Sequence, residues 1–224
     1  MDTWAGDQNN ISLTRKGITE QMVISAEEQK IFDGKWFSPG HPDLVAIKRK
    51  AHDLNTRYNA TFEGETEERE KILSALIGRL GKDCRLQGPI FFHYGTHTEI
   101  GDRFFANFNL TIQDDAKVTI GDDCNFGPGV TIVTPLHPML AEERRRLRDV
   151  DGELKHMCRA KPVTIGNDCW LGANVVVCPG VSIGSGCVIG AGSVVTHDIP
   201  DNCFAAGSPC RVIREITEEE RSVL

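Results

Sequence analysis

Several protein classes leave marks that this sequence lacks, and each absence removes a function. There is no excess of positive charge: 25 Lys and Arg against 32 Asp and Glu leave a net charge of −7. A nucleic-acid partner normally requires a basic face, so that class is set aside. No apolar run approaches the length of a membrane span, which argues against a membrane partner. The opening residues, Met1–Asn10, are polar and acidic, with no basic start and no apolar stretch. No secretory signal is therefore expected, and the expected location is cytoplasmic. Eight cysteines are present, but none forms a Cys-x-x-Cys pair, and the chain is long for a disulfide framework.

What the sequence does have is clustered glycine and an aliphatic beat. The 22 glycines gather in runs such as G-P-G (127–129), G-S-G (184–186) and G-A-G (190–192). An aliphatic residue recurs every six positions through Ile165, Leu171, Val177, Ile183, Ile189 and Val195. The same spacing links Ile100, Ala106, Ile112 and Val118, slips by two, and resumes at Ile120, Phe126 and Ile132. A glycine often follows, as at Gly101, Gly121, Gly166 and Gly184. Each six-residue unit reads as a short strand plus a turn, and three units close a triangular coil. Stacked coils bury an aliphatic column that no single repeat could bury alone. A glycine-rich linker would not hold six consecutive aliphatics in phase.

Cys124, Cys169 and Cys187 each lie four residues after a repeat aliphatic, in a slot also filled by Val130, Val175, Val181 and Ser193. They are expected to be small buried thiols; the spacing of Cys169 and Cys187 leaves a disulfide open as the alternative. The chain divides into a flexible tail (1–24), a helical cap (25–82), the β-helix (83–213) and a C-terminal tail (214–224). In the cap, Pro42 suits a helix start, and Leu44, Ile47, Ala51, Leu54 and Tyr58 mark one face. A second helix is expected to be capped by Thr66, with Ile72, Leu73, Leu76, Ile77 and Leu80 as its stripe and Gly81 as its end. The beat is lost through 135–162, a stretch rich in charge (Glu142–Arg146, Arg148–Glu153). It is too long for a corner turn and is expected to leave the coil as an excursion loop with some helix.

The residues resemble a known family. F-H-Y-G-T-H-T-E-I-G (92–101), F-F-A-N-F-N-L-T-I-Q-D-D (104–115) and L-H-P (136–138) look like the maltose and galactoside O-acetyltransferases. So do V-T-I-G-N-D-C-W-L-G (163–172), V-I-G-A-G-S-V-V-T-H-D-I-P (188–200) and A-A-G-S-P-C-R-V-I-R (205–214), with G-K-W-F-S-P-G-H-P-D-L (34–44) similar to the helical cap. The resemblance implies a mainly β protein, a left-handed parallel β-helix of hexapeptide repeats with an N-terminal α-helical cap. It also implies acetyl-CoA as co-substrate and a homotrimer with sites between subunits.

The resemblance assigns roles residue by residue. His137 becomes the general base, since imidazole has a pKa suited to taking a proton from a sugar hydroxyl near neutral pH. Asn107 supports the transition state and, with Asp115, His93 and Phe105, lines the acceptor site. The galactoside enzymes carry serine and tyrosine where this chain has His93 and Phe105. Trp170, Ala173, Ala191, Thr196, His197, Arg211 and Arg214 fall at coenzyme positions. The N–H of Ala173 suits the thioester oxyanion, and the two arginines suit phosphates, with surface ion pairing as their alternative. His197 replaces a common lysine.

No metal is expected, because His93 and His97 do not share a helical face and lack obvious co-ligands. The family's acidic cap residue is missing, with Ser38, Pro39 and His41 in that region. The acceptor is therefore open among sugars, polyols, amino sugars and xenobiotic alcohols. A zinc-dependent hydrase and a non-catalytic assembly protein are the rivals from other classes.

Overall fold

The computed structural model describes residues 24–148, 152 and 154–222; Ile24 apart, the expected N-terminal tail lies outside them, as do 149–151, 153 and 223–224. Residues from Arg79 to Glu215 wind into a parallel β-solenoid with three faces. The first face stacks Arg79–Leu80, Thr98–Ile100, Val118–Ile120, Val163–Ile165 and Ser182–Ile183. The second stacks Arg85–Leu86, Phe105–Ala106, Asn125–Phe126, Trp170–Leu171, Val188–Ile189 and Cys203–Gly207, with Cys210–Glu215 added antiparallel. The third stacks Ile90–Phe92, Leu110–Gln113, Thr131–Val133, Val176–Val177 and Val194–Val195.

Register explains the beat. Ile100, Ile120, Ile165 and Ile183 pair in line on the first face; Ala106, Phe126, Leu171 and Ile189 pair on the second. Ile112, Ile132, Val177 and Val195 pair on the third. All are buried, and Cys124, Cys169 and Cys187 are buried free thiols within the same core. The phase slip also has a physical cause. Upper coils pair positions eighteen apart (165 with 183), whereas lower coils pair positions twenty apart (100 with 120). The two extra residues sit in the corner joining the third face to the first, because Ile112 precedes Ile120 by eight positions and Val177 precedes Ile183 by six. Val118 is therefore not a separate beat. It shares one three-residue strand with Ile120, and both point inward.

The cap contains three helices: α1 (Ala26–Phe32), α2 (Pro42–Asn59) and α3 (Thr66–Leu76). α1 was not anticipated, although Ser25 and Glu28 form a complete capping box at its start. α2 begins at Pro42 as expected, and Leu44, Ala51, Leu54 and Tyr58 are buried. α3 departs from expectation at both ends. Thr66 is its first helical residue rather than its cap, and Leu80 belongs to the first strand of the solenoid.

α2 solves the problem of the exposed sheet edge. Asn55 bonds both main-chain groups of Phe92 (Nδ2 to O 2.7 Å, N to Oδ1 3.1 Å), and Asn59, one turn on, does the same for Ile90 (2.9 and 2.7 Å). The outer edge of the lowest strand of the third face is thus hydrogen-bonded by side chains where a further strand would otherwise pair.

The excursion leaves as Pro135–Leu136, returns antiparallel as Arg159–Ala160, and includes a short helix at Ala141–Arg144. Its returning limb is tied to the cap by reciprocal bonds of 2.9 Å between Phe37 and Cys158. Because the column is continuous, Leu171→Ala should destabilise the fold by about 2–5 kcal/mol in chemical denaturation.

Candidate functional site

The lengthened corner between the third and first faces gathers most of the buried polar groups. Asp114 is fully buried, accepting from Tyr94 N (2.7 Å) and Thr98 Oγ1 (2.8 Å). Asp115, next to it, is 2% exposed, and its Oδ2 has no partner among the described residues. Burial raises both carboxyls to about 6, and Asp114 adds to the rise at Asp115. The hydroxyl of Tyr94 is likewise buried without a partner.

Lys48 of α2 reaches the same corner, donating to the Pro39 carbonyl at 2.6 Å and lying 5.7 Å from the centre of the Tyr94 ring. Its pKa is lowered by burial and pulled back by Asp115. His93 is half-buried beside them, with Nδ1 3.3 Å from Nε2 of His52. Burial, then Lys48, His52 and His97, push it down to about 4, so its ring is neutral at neutral pH.

His137 stands exposed where the excursion leaves this corner, with Nδ1 3.4 Å from Sγ of Cys158. Burial and the nearby Asp115 push the Cys158 thiol up to about 11, so it is not a thiolate at neutral pH. Thr196 and His197, hydrogen-bonded to one another at 2.9 Å, follow the last strand of the third face at this same corner.

The remaining expected residues lie elsewhere on the chain. Asn107 follows Phe105–Ala106 at the corner between the second and third faces, where its Oδ1 accepts from Phe108 N at 2.8 Å. In the next coils that slot is glycine, at Gly127 and Gly172. Ala173 and Ala191 stack above it. A Cβ on Gly127 would lie 2.8 Å from Ala173 N, and one on Gly172 2.7 Å from Ala191 N, so the corner is drawn in tightly. Among the described residues no acceptor takes the Ala173 N–H.

Phe105, Asn125, Trp170, Val188 and Phe204 form one outward row on the second face, where Trp170 is 57% exposed. Arg211 and Arg214 lie on the antiparallel strand at the top of that face. Arg214 covers the Phe204 ring and pairs with Glu220 at 2.5 Å, so ion pairing already engages it. The expected residues thus fall into two separate sets on one chain. His93, Asp115, His137, Thr196 and His197 share one corner, while Phe105, Asn107, Trp170, Ala173, Ala191 and the arginines occupy the second face and its other edge.

Known proteins are similar to this chain in sequence and fold. The bacterial transferase hexapeptide (six repeats) model matches residues 162–197, and the maltose acetyltransferase hexapeptide capping motif matches residues 30–81. Galactoside O-acetyltransferase of Escherichia coli K12 is 41% identical over 193 residues, covering 86% of this chain and 91% of that protein. The chain belongs to the maltose and galactoside O-acetyltransferase family.

Solved structures of this acetyltransferase family agree with that placement. A maltose O-acetyltransferase from Clostridium difficile 630 is 38% identical with a TM-score of 0.79, covering 88% of this chain and 100% of its own. A galactoside acetyltransferase in complex with coenzyme A is 40% identical, also with a TM-score of 0.79, covering 88% and 94%. A hexapeptide-repeat acetyltransferase from Vibrio cholerae, complexed with acetyl coenzyme A, is 30% identical with a TM-score of 0.76, covering 87% and 100%.

Within the family's frame, sequence reasoning missed Lys48, Tyr94 and Cys158. Lys48 lies on a helix whose apolar face alone had been read. Cys158 is carried back to the corner by an excursion that has no repeat to follow. The buried Asp115 carboxylate, one oxygen of which has no partner, is a local cost to the fold. Its folded pKa of about 6 lies above the ordinary 3.8, so the fold loses stability as pH rises between these values and bears the full cost of the ionised group above about pH 6. Asp115→Asn should therefore raise Tm by ~2–4 °C at pH 8 and by little near pH 4, as followed by thermal melts.

Proposed function

We propose that this protein is an acetyl-CoA-dependent O-acetyltransferase that moves an acetyl group to a hydroxyl of a sugar or sugar-like acceptor. The observation that carries the reading is His137 at the lip of a corner holding Asp115, whose buried oxygen has no partner. Family membership supplies the donor: relatives in this family are solved with coenzyme A and acetyl coenzyme A.

In the proposed mechanism, His137 carries its proton on Nδ1, 3.4 Å from the Cys158 sulfur, leaving the Nε2 lone pair as the base. Nε2 takes the proton of the acceptor hydroxyl as its oxygen attacks the thioester carbon. The developing oxyanion is held by a main-chain donor, the role of Ala173 N–H. Collapse breaks the C–S bond, and Nε2–H of His137 gives its proton to the departing sulfur, so the coenzyme leaves as its thiol and the imidazole returns to its neutral form. Asp115 accepts from a second acceptor hydroxyl and fixes its orientation, and transfer occurs in a ternary complex.

The two separate sets on one chain support a homotrimer. The corner with His137 from one subunit would face Asn107, Trp170 and Ala173 of the next. Eight free thiols fit the reducing cytoplasm.

One second reading has an observation of its own. Cys158 lies 3.4 Å from His137, a spacing that suits a cysteine nucleophile and an acyl-enzyme. Its burial and its raised pKa oppose that reading.

Thiol release from acetyl-CoA, measured against a panel of sugars, polyols and alcohols, tests the function; no turnover with any acceptor would overturn it. His137→Ala should lower kcat/KM about 100- to 10,000-fold, and acetyl-CoA binding measured by calorimetry should persist. Cys158→Ala should keep transfer within about tenfold of wild type, whereas an acyl-enzyme route would lose it by orders of magnitude.

A further inference from the structure

Beneath Asp115, one imidazole is hydrogen-bonded on both sides. His97 is 4% exposed, and its Nδ1 lies 3.0 Å from the carbonyl oxygen of Asp114 and 2.8 Å from that of Asp115. Carbonyl oxygens only accept, so Nδ1 carries a proton. Nε2 lies 3.0 Å from Oε1 of Glu28 on α1, a carboxyl held below its ordinary range first of all by this bond. Glu28 therefore accepts as well, and a ring that donates from both nitrogens is an imidazolium. Tyr94 stacks on this ring at 4.5 Å and 11°, and Phe32 meets its edge at 4.9 Å, so the ring's plane is fixed.

The need for such a clamp follows from the lengthened corner. Its two extra residues take the Asp114 and Asp115 carbonyls out of the ladder. Among the described residues, His97 is the donor to both.

We propose that His97 is a positioning residue for Asp115: an imidazolium held between Glu28 of the first cap helix and the main chain of Asp114 and Asp115, so that docking of α1 sets where the acceptor carboxylate points. The inference rests on the acetyltransferase reading, in which Asp115 binds the acceptor.

The charged and titratable groups around the ring are consistent with it. Glu28 faces it from α1, and Asp114 and Asp115 from the corner above. Tyr94 and His93 belong to its own corner. Lys48 of α2 lies across Tyr94, and Lys117 lies 5.6 Å from the Phe32 ring on the far side. Burial opposes the charge, but Glu28, Asp114 and the Asp115 carbonyl outweigh it and hold His97 above its ordinary 6.5. A folded pKa raised above the unfolded one stabilises fully below about 6.5 and is lost as pH rises through the folded value. Above it, the neutral ring can serve Glu28 or the carbonyls, not both.

The test uses the full chain, with Glu28→Gln and His97→Asn, each checked for folding by circular dichroism. Nitrogen-15 NMR of the histidines should show His97 protonated at both nitrogens at pH 7 in the wild type, titrating at lower pH in Glu28→Gln. Both variants should raise the acceptor KM about tenfold, the size of one lost charge-assisted bond, with the acetyl-CoA KM within twofold. The wild-type acceptor KM should climb at alkaline pH, and that limb should move to lower pH in Glu28→Gln.

A neutral His97 at pH 7, an unchanged acceptor KM, or an equal rise in both KM values overturns the proposal. Absence of wild-type transfer to any acceptor overturns the acetyltransferase reading and the positioning role together. Transfer with unshifted KM values overturns the positioning role alone.

Discussion

Everything in this molecule depends on parallel register. Each strand presents one inward aliphatic directly over the one below, as Ile165 sits between Ile120 and Ile183. A coil cannot gain a residue within a face without turning its column to solvent. Extra chain can leave only at a corner. Two residues are added in the lower third-to-first corner, and the whole excursion departs from the same corner one coil higher. The polar groups of the site follow from that rule. Asp114 and Asp115 are residues for which the ladder has no place, and they are buried because the cap closes over them.

The closure sets up an electrostatic conflict that the cap itself relieves. Two adjacent buried carboxyls would both be driven neutral by desolvation and mutual repulsion. α1 and α2 bring Glu28 and Lys48 to the same place, and His97 lies between the carboxyls and Glu28. The outcome is a pair titrating at about 6 rather than higher, so a carboxylate is present near neutral pH. The cap therefore does more than cover a sheet edge through Asn55 and Asn59. It supplies the charges without which the lengthened corner would be a neutral, inert turn.

The solenoid was legible because its signal is periodic and redundant. Six in-phase aliphatics each repeat the same steric demand, and α2 announces itself by Pro42 and a regular apolar stripe. The slip at Val118 to Ile120 was visible as a slip, but its meaning was not. A one-dimensional beat cannot tell an added residue in a corner from a second inward residue in a strand. α1 escaped notice because seven residues carry too little periodicity, although Ser25 and Glu28 spell out its cap. His137, Asp115 and Trp170 were found through family resemblance and through breaks in the pattern. Lys48, Tyr94 and Cys158 break no pattern, and their proximity is created by folding alone.

The division of site residues between two corners has a geometric consequence for any mechanism that uses them all. Asn107 precedes, and Asp115 follows, the third-face strand Leu110–Gln113. At roughly 3.3 Å per residue, that strand alone holds the two corners about 13 Å apart, before the flanking turn residues are added. No side-chain rotation lets Asn107 and His137 of one chain meet over a shared acceptor. A packed β-solenoid does not flex by that amount, because every coil is fixed by the one above it. In the proposed homotrimer, a second copy laid with its second face against this corner would bring the other set without distorting either column. The outward Trp170 and the turned-out Phe105 then have a surface to cover, which their exposed row on the second face otherwise lacks. The rigidity that prevents one chain from completing the site is what would let two chains complete it reproducibly.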